Sequence, residues 1–113
     1  METVMCQKIL QVNLKFSGLS RSELEQAWLP AARPIADSNG LRWKIWLMNE
    51  HEHEAGGIYL FDDEVSVQAF LAGPILASLK SDPSISDIRV KMFEVLEQHT
   101  AVTRGPVRQG FRV

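Results

Sequence analysis

The order in which two hydrophobic periods follow one another is the strongest constraint this chain carries. "KILQVNLKFS" (Lys8 to Ser17) alternates: Leu10, Val12, Leu14 and Phe16 fall on one side, while Gln11, Asn13 and Lys15 fall on the other with Ile9. A period of two describes a strand with one apolar face. The period then changes. Ser20 followed by Glu23 is a capping box, and Leu24, Ala27, Trp28 and Ala31 follow at i, i+3, i+4 and i+7 of one helical face. Pro30 lacks an amide hydrogen and kinks or restarts that helix, and Pro34 weakens it again. "DSNG" (Asp37 to Gly40) turns the chain.

"LRWKIWLMN" (Leu41 to Asn49) returns to a strand period, with Trp43, Ile45 and Leu47 on one face and Lys44, Trp46 and Met48 on the other. Both faces carry large apolar groups, so both are expected to be covered. "GIYLFD" (Gly57 to Asp62) reads as the next strand. A helix follows, capped by Asp62 or Asp63 and carrying Val65, Ala69 and Ala72 at helical spacing. Gly73-Pro74 breaks it, and Pro74 opens a second short piece. "SDIRVKMFEVLEQ" (Ser86 to Gln98) is the last strand, where Ile88, Val90 and Met92 alternate with Arg89, Lys91 and Phe93.

The order β-α-β-β-α-β predicts a ferredoxin-like α+β fold: a four-stranded antiparallel sheet with the helices on one face. The opposite face then needs a cover, which neither loops nor tail are expected to supply. A second copy packed sheet to sheet, making a homodimer, is the simplest answer. Residues 1–98 form the single domain of this reading. The tail, residues 99–113, holds Arg104, Arg108 and Arg112 and no acid. It is either a solvated end or an arm that crosses to the partner with Phe111 as anchor.

Composition narrows the function classes. Apolar residues make up 45% of the 113, enough for a packed core. A net charge of −2 gives no electrostatic reason to expect nucleic acid. No apolar run reaches about 18 residues, so no membrane span is expected, and "METVMCQKIL" lacks the apolar core of a signal peptide. The single cysteine, Cys6, cannot form an internal disulfide, which points to a reducing, cytoplasmic setting.

"NEHEHEAGGIYLF" (Asn49 to Phe61) invites a metal reading. His51 and His53 share a side of an extended backbone. A stable zinc site takes three or four protein ligands, and Cys6 and His99 are far away in sequence. No metal is expected, nor a haem held by one of these histidines. Gly56-Gly57 reads as a bulge or as a place of close backbone approach.

"LRWKIW" (Leu41 to Trp46), "HEAGGIYLF" (His53 to Phe61) and the closing "IRVKMFEVLE" (Ile88 to Glu97) together resemble the YdhR-type monooxygenase family, part of the dimeric α+β barrel superfamily. The likeness runs over about residues 8 to 97; His51 has no place on its motif. It implies a homodimer with a pocket between each sheet and its helices. It also implies oxidation of a small apolar or aromatic molecule, quinol- or anthrone-like, by O2 without metal, flavin or other cofactor. In that chemistry the protein supplies a base and a dry, shaped pocket, and the substrate anion supplies electrons.

On this resemblance His53 is the expected base, an imidazole being competent at neutral pH. Lys44 or Asn13 would steady charge on oxygen. Trp46 and Tyr59 would hold the ring, with Trp43 and Phe61 as further binding candidates. Trp43 and Trp46 have opposite parity, so one pocket wall takes only one of them, and Trp46 beside Lys44 is favoured. Two alternatives use the same pocket: a binding dimer with no turnover, and a proton-transfer isomerase that consumes no O2.

Overall fold

The fold is that of a computed structural model, in which residues 6–107 are described. Four strands form one antiparallel sheet in the order β2-β3-β1-β4. They are β1 (Lys8–Phe16), β2 (Leu41–Asn49), β3 (Glu54–Phe61) and β4 (Ile85–Glu94). Helices α1 (Arg21–Trp28), α2 (Ala32–Ala36), α3 (Glu64–Leu71) and α4 (Pro74–Lys80) fill the two crossovers. This is the ferredoxin-like α+β arrangement that the period pattern predicts. Among the described residues no helix is long and apolar enough to cross a membrane.

The local signals act as their chemistry requires. Ser20 Oγ accepts from the Glu23 amide at 3.1 Å, and the Ser20 amide donates to Glu23 Oε1 at 2.8 Å, closing the capping box. Pro30 lies in a 3-10 turn, Leu29–Ala31, that links α1 to α2. Asp63, not Asp62, caps α3, its Oδ1 accepting from the Ser66 amide at 2.8 Å. Pro74 opens α4, where its missing N–H costs no helical bond.

The alternation of β1 decides the layers. Leu10, Val12, Leu14 and Phe16 are each at most 2% exposed, on the face toward the helices. Leu10 and Val12 pack with Ile35, Tyr59, Phe61, Val67, Phe70 and Leu76. At the other end of the strand, Leu14 and Phe16 pack with Leu24, Ala55 and Ile85.

The outer face differs from expectation. The chain leaves β4 at Glu94 and forms α5 (Glu97–Val102) where a continuing strand is expected. The following turn returns to the sheet, and Trp43 Nε1–H donates to the Pro106 carbonyl at 2.8 Å. Leu60 faces outward beside Ile9 and Trp43, yet it is only 1% exposed. The start of the tail therefore covers one end of its own sheet. Arg108, Phe111 and Arg112 lie outside the described residues. The rest of the outer face stays open, with Ile45 51% and Phe93 44% exposed. Between them run polar side chains: Gln11 Nε2 donates to Asn13 Oδ1, and Asn13 Nδ2 to Glu54 Oε2, each at 3.1 Å.

Candidate functional site

A cavity of about 540 Å³ opens between the inner sheet face and the helices. That volume suits a small organic ligand. Val12 and Leu14 of β1 form its floor, with Lys44, Trp46 and Tyr59 beside them from β2 and β3. Trp28 closes it from the end of α1, and Leu76 and Leu79 close it from α4. The Gly73-Pro74 break lets α4 start afresh and turn these residues onto the cavity.

Three residues give the walls their chemistry. Lys44 and Trp46 are two apart on β2, so their side chains leave the same face. Lys44 pairs with Tyr59 across the ladder, which puts the phenol beside the amine. The Lys44 Nζ lies 3.4 Å from the Trp46 ring centroid and 4.5 Å from that of Tyr59. Trp28 extends the aromatic surface, its ring 6.1 Å from Trp46.

Burial sets the protonation of this pair. It lowers the Lys44 amine to about 7, and no carboxylate offsets the loss of water. The aromatic faces are the cation's nearest compensation. Burial pushes the Tyr59 phenol well above its usual range, so it keeps its proton. Its hydroxyl has no hydrogen-bond partner among the described residues, and no buried polar atom there is left unsatisfied. The hydroxyl therefore reaches open space. The cavity thus offers an amine that can hold or release a proton near neutrality and a phenol that only donates.

The two glycines of "HEAGGIYLF" are required for different reasons. A Cβ on Gly56 would strike the Val12 carbonyl of the neighbouring strand. A Cβ on Gly57 would strike Lys44 Cε. Gly56 admits backbone, and Gly57 admits the lysine stem.

The other expected site residues lie elsewhere. His53 is exposed in the β2–β3 turn, at φ 53°, with its ring edge-on to Phe16 at 5.4 Å. It does not line the cavity. Asn13 lies on the outer face, bonded to Gln11 and Glu54. Trp43 is also outward, held by Pro106. Phe61 is wholly buried behind the wall, stacked on Tyr59 at 6.0 Å. So Lys44, Trp46 and Tyr59 come together, while His53, Asn13, Trp43 and Phe61 do not join them. Trp28 was visible only as part of a helical stripe, which marks a buried face without saying what it faces. Among the described residues no histidine or cysteine lines the cavity. His51 and His53 gather no third ligand among the described residues.

Comparison with known proteins agrees with this architecture. No curated protein is similar to the chain in sequence. A protein of unknown function from Nitrosomonas europaea superposes with a TM-score of 0.67 and 26% identity, over 83% of this chain and 93% of that one. SnoaB, a cofactor-independent oxygenase from Streptomyces nogalater, superposes at 0.64 and 16% identity, over 80% and 93%. MhuD, a heme-degrader from Mycobacterium tuberculosis, superposes at 0.60 and 19% identity, over 78% and 95%. The last two share the fold. The sequence model that matches does so over residues 9–106, nearly the whole of the described chain, and the protein belongs to the family described as "Putative mono-oxygenase ydhR".

Proposed function

We propose that the protein is a homodimeric, cofactor-independent monooxygenase acting on a phenolic or anthrone-like aromatic molecule bound in the Lys44 cavity. The observation that carries this reading is the Lys44 amine between the Trp46 and Tyr59 rings on the wall of an apolar cavity. Family membership and the fold shared with a cofactor-independent oxygenase support it.

The chemistry uses what these residues can do. A ring stacks on Trp46 and Trp28. Lys44, its amine lowered to about 7 by burial, takes the proton of an acidic phenol or benzylic carbon. The resulting ammonium stays beside the anion it has made, and Tyr59 O–H donates to the same oxygen. The electron-rich anion then reduces O2. For an anthrone, CH2 and O2 become C=O and H2O, with all four electrons that O2 takes coming from the substrate. His53 stands outside the cavity, so this reading gives the base role to Lys44. Asn13 and its outer-face neighbours are assigned to the dimer contact.

The test is oxygen uptake by the purified protein with a panel of anthrones and quinols, using 18O2 to follow the label. The reading expects uptake above the spontaneous rate for at least one compound, with one labelled atom in the product and one in water. No uptake above background across the panel would remove it for those substrates.

A further inference from the structure

We propose that Lys44 is a covalent capture site for aromatic aldehydes and ketones, which its amine binds as an imine between the Trp46 and Tyr59 rings. This goes beyond the oxygenase reading and does not depend on it.

The first ground is the setting of the amine. Lys44 faces a cavity with mainly apolar walls and has no ion pair or hydrogen bond among the described residues. The other four lysines are placed differently. Lys8 pairs with Glu94 at 3.7 Å, Lys15 donates to the Glu52 carbonyl at 3.4 Å, and Lys80 and Lys91 are exposed. A lysine held out of water and without a counter-ion keeps a nucleophilic lone pair near neutral pH.

The second ground is shape. The amine is flanked by two flat rings, so an aromatic carbonyl compound can stack while its carbon meets the nitrogen. Gly57 leaves the space that the lysine stem crosses. Tyr59 lines the same cavity and keeps its phenol proton, so it supplies a donor for the carbonyl oxygen.

The step balances without an oxidant or reductant. The lysine lone pair forms the C–N bond, and the C=O π pair moves to oxygen, which takes a proton and gives a carbinolamine. Loss of that oxygen as water, with the two hydrogens that began on nitrogen, leaves C=N. Hydrolysis reverses it.

The experiment incubates the full chain anaerobically at pH 7 with 4-hydroxybenzaldehyde and sodium cyanoborohydride, which reduces imines in place. Peptide mass spectrometry then gives a labelling rate for each lysine. Lys44 is expected to label at least about tenfold faster than Lys8, Lys15, Lys80 or Lys91. Acetaldehyde at equal concentration should show a smaller preference, because it cannot stack. Gly57→Ala, which displaces the lysine stem, should slow Lys44 and leave the other four unchanged. Labelling of Lys44 no faster than the other four lysines would overturn the proposal. So would an equal preference with acetaldehyde, which would mark a reactive amine without an aromatic site. The wild-type arms decide the matter if Gly57→Ala does not fold. Without O2 present, neither result bears on oxygenase activity, so the two readings fail separately.

Discussion

The Lys44 amine lies 3.4 Å from the centroid of the Trp46 ring, on the neighbour two positions along the same strand. An ammonium over an indole face is held by the ring quadrupole, worth about 0.5–2 kcal/mol depending on desolvation. Trp46→Leu removes that face and the stacking surface together. Binding of 1-naphthol, measured by calorimetry, should weaken by about tenfold, or about 1.4 kcal/mol. Unchanged affinity would mean that the ligand does not meet this wall.

The buried amine also makes stability depend on pH. Its folded pKa is about 7, well below the ordinary lysine value in the unfolded chain. Between those two values the unfolded state binds more protons, so stability rises with pH there. The rise should be on the order of 2 kcal/mol between pH 7 and pH 9, because one unit is worth about 1.4 kcal/mol. Tyr59, raised by burial, acts only above the ordinary phenol range, where stability falls again. Urea unfolding at the two pH values checks this. Lys44→Met should be the more stable form at pH 7 and should lose most of the slope.

The glycine pair separates structure from site. Gly56→Ala drives a methyl into the Val12 carbonyl and should cost about 2 kcal/mol or more. Gly57→Ala meets the flexible end of Lys44 and should cost less, near 1 kcal/mol, while displacing the amine. Thermal melts and 1-naphthol titrations of both variants check the contrast. Equal losses of stability would contradict it.

The open part of the outer face carries the proposed dimer. Ile45 and Phe93 are exposed there, and a domain this small gains from covering such a surface. Light scattering should give a dimer for the wild-type chain. Ile45→Asp should shift it to monomer by burying an unpaired charge at the contact.

Much of this fold was legible because its signals are local. Period two in β1 and the capping box at Ser20 and Glu23 need no distant partner. Parity likewise put Lys44 and Trp46 on one face. What could not be read depended on neighbours across the fold. The motif starting at His53 drew attention to its histidine, but the turn holds that residue at positive φ, outside the cavity. Asn13 faces away because Leu10, Val12 and Leu14 claim the inner side of β1. That Tyr59 stands opposite Lys44 follows from register, which alternation alone does not fix. The Trp43–Pro106 contact joins positions too far apart for any local pattern to reveal.

The central claim is that Lys44, inside the cavity, is the base. The direct measurement is the initial rate of oxygen uptake with the best anthrone for wild-type, Lys44→Met and His53→Ala proteins at pH 7.5. The account predicts a loss of about 100-fold or more for Lys44→Met, the scale of a missing general base, and a rate within about twofold of wild type for His53→Ala. A Lys44→Met protein as fast as wild type, or a His53→Ala protein that loses activity while remaining folded, would contradict it.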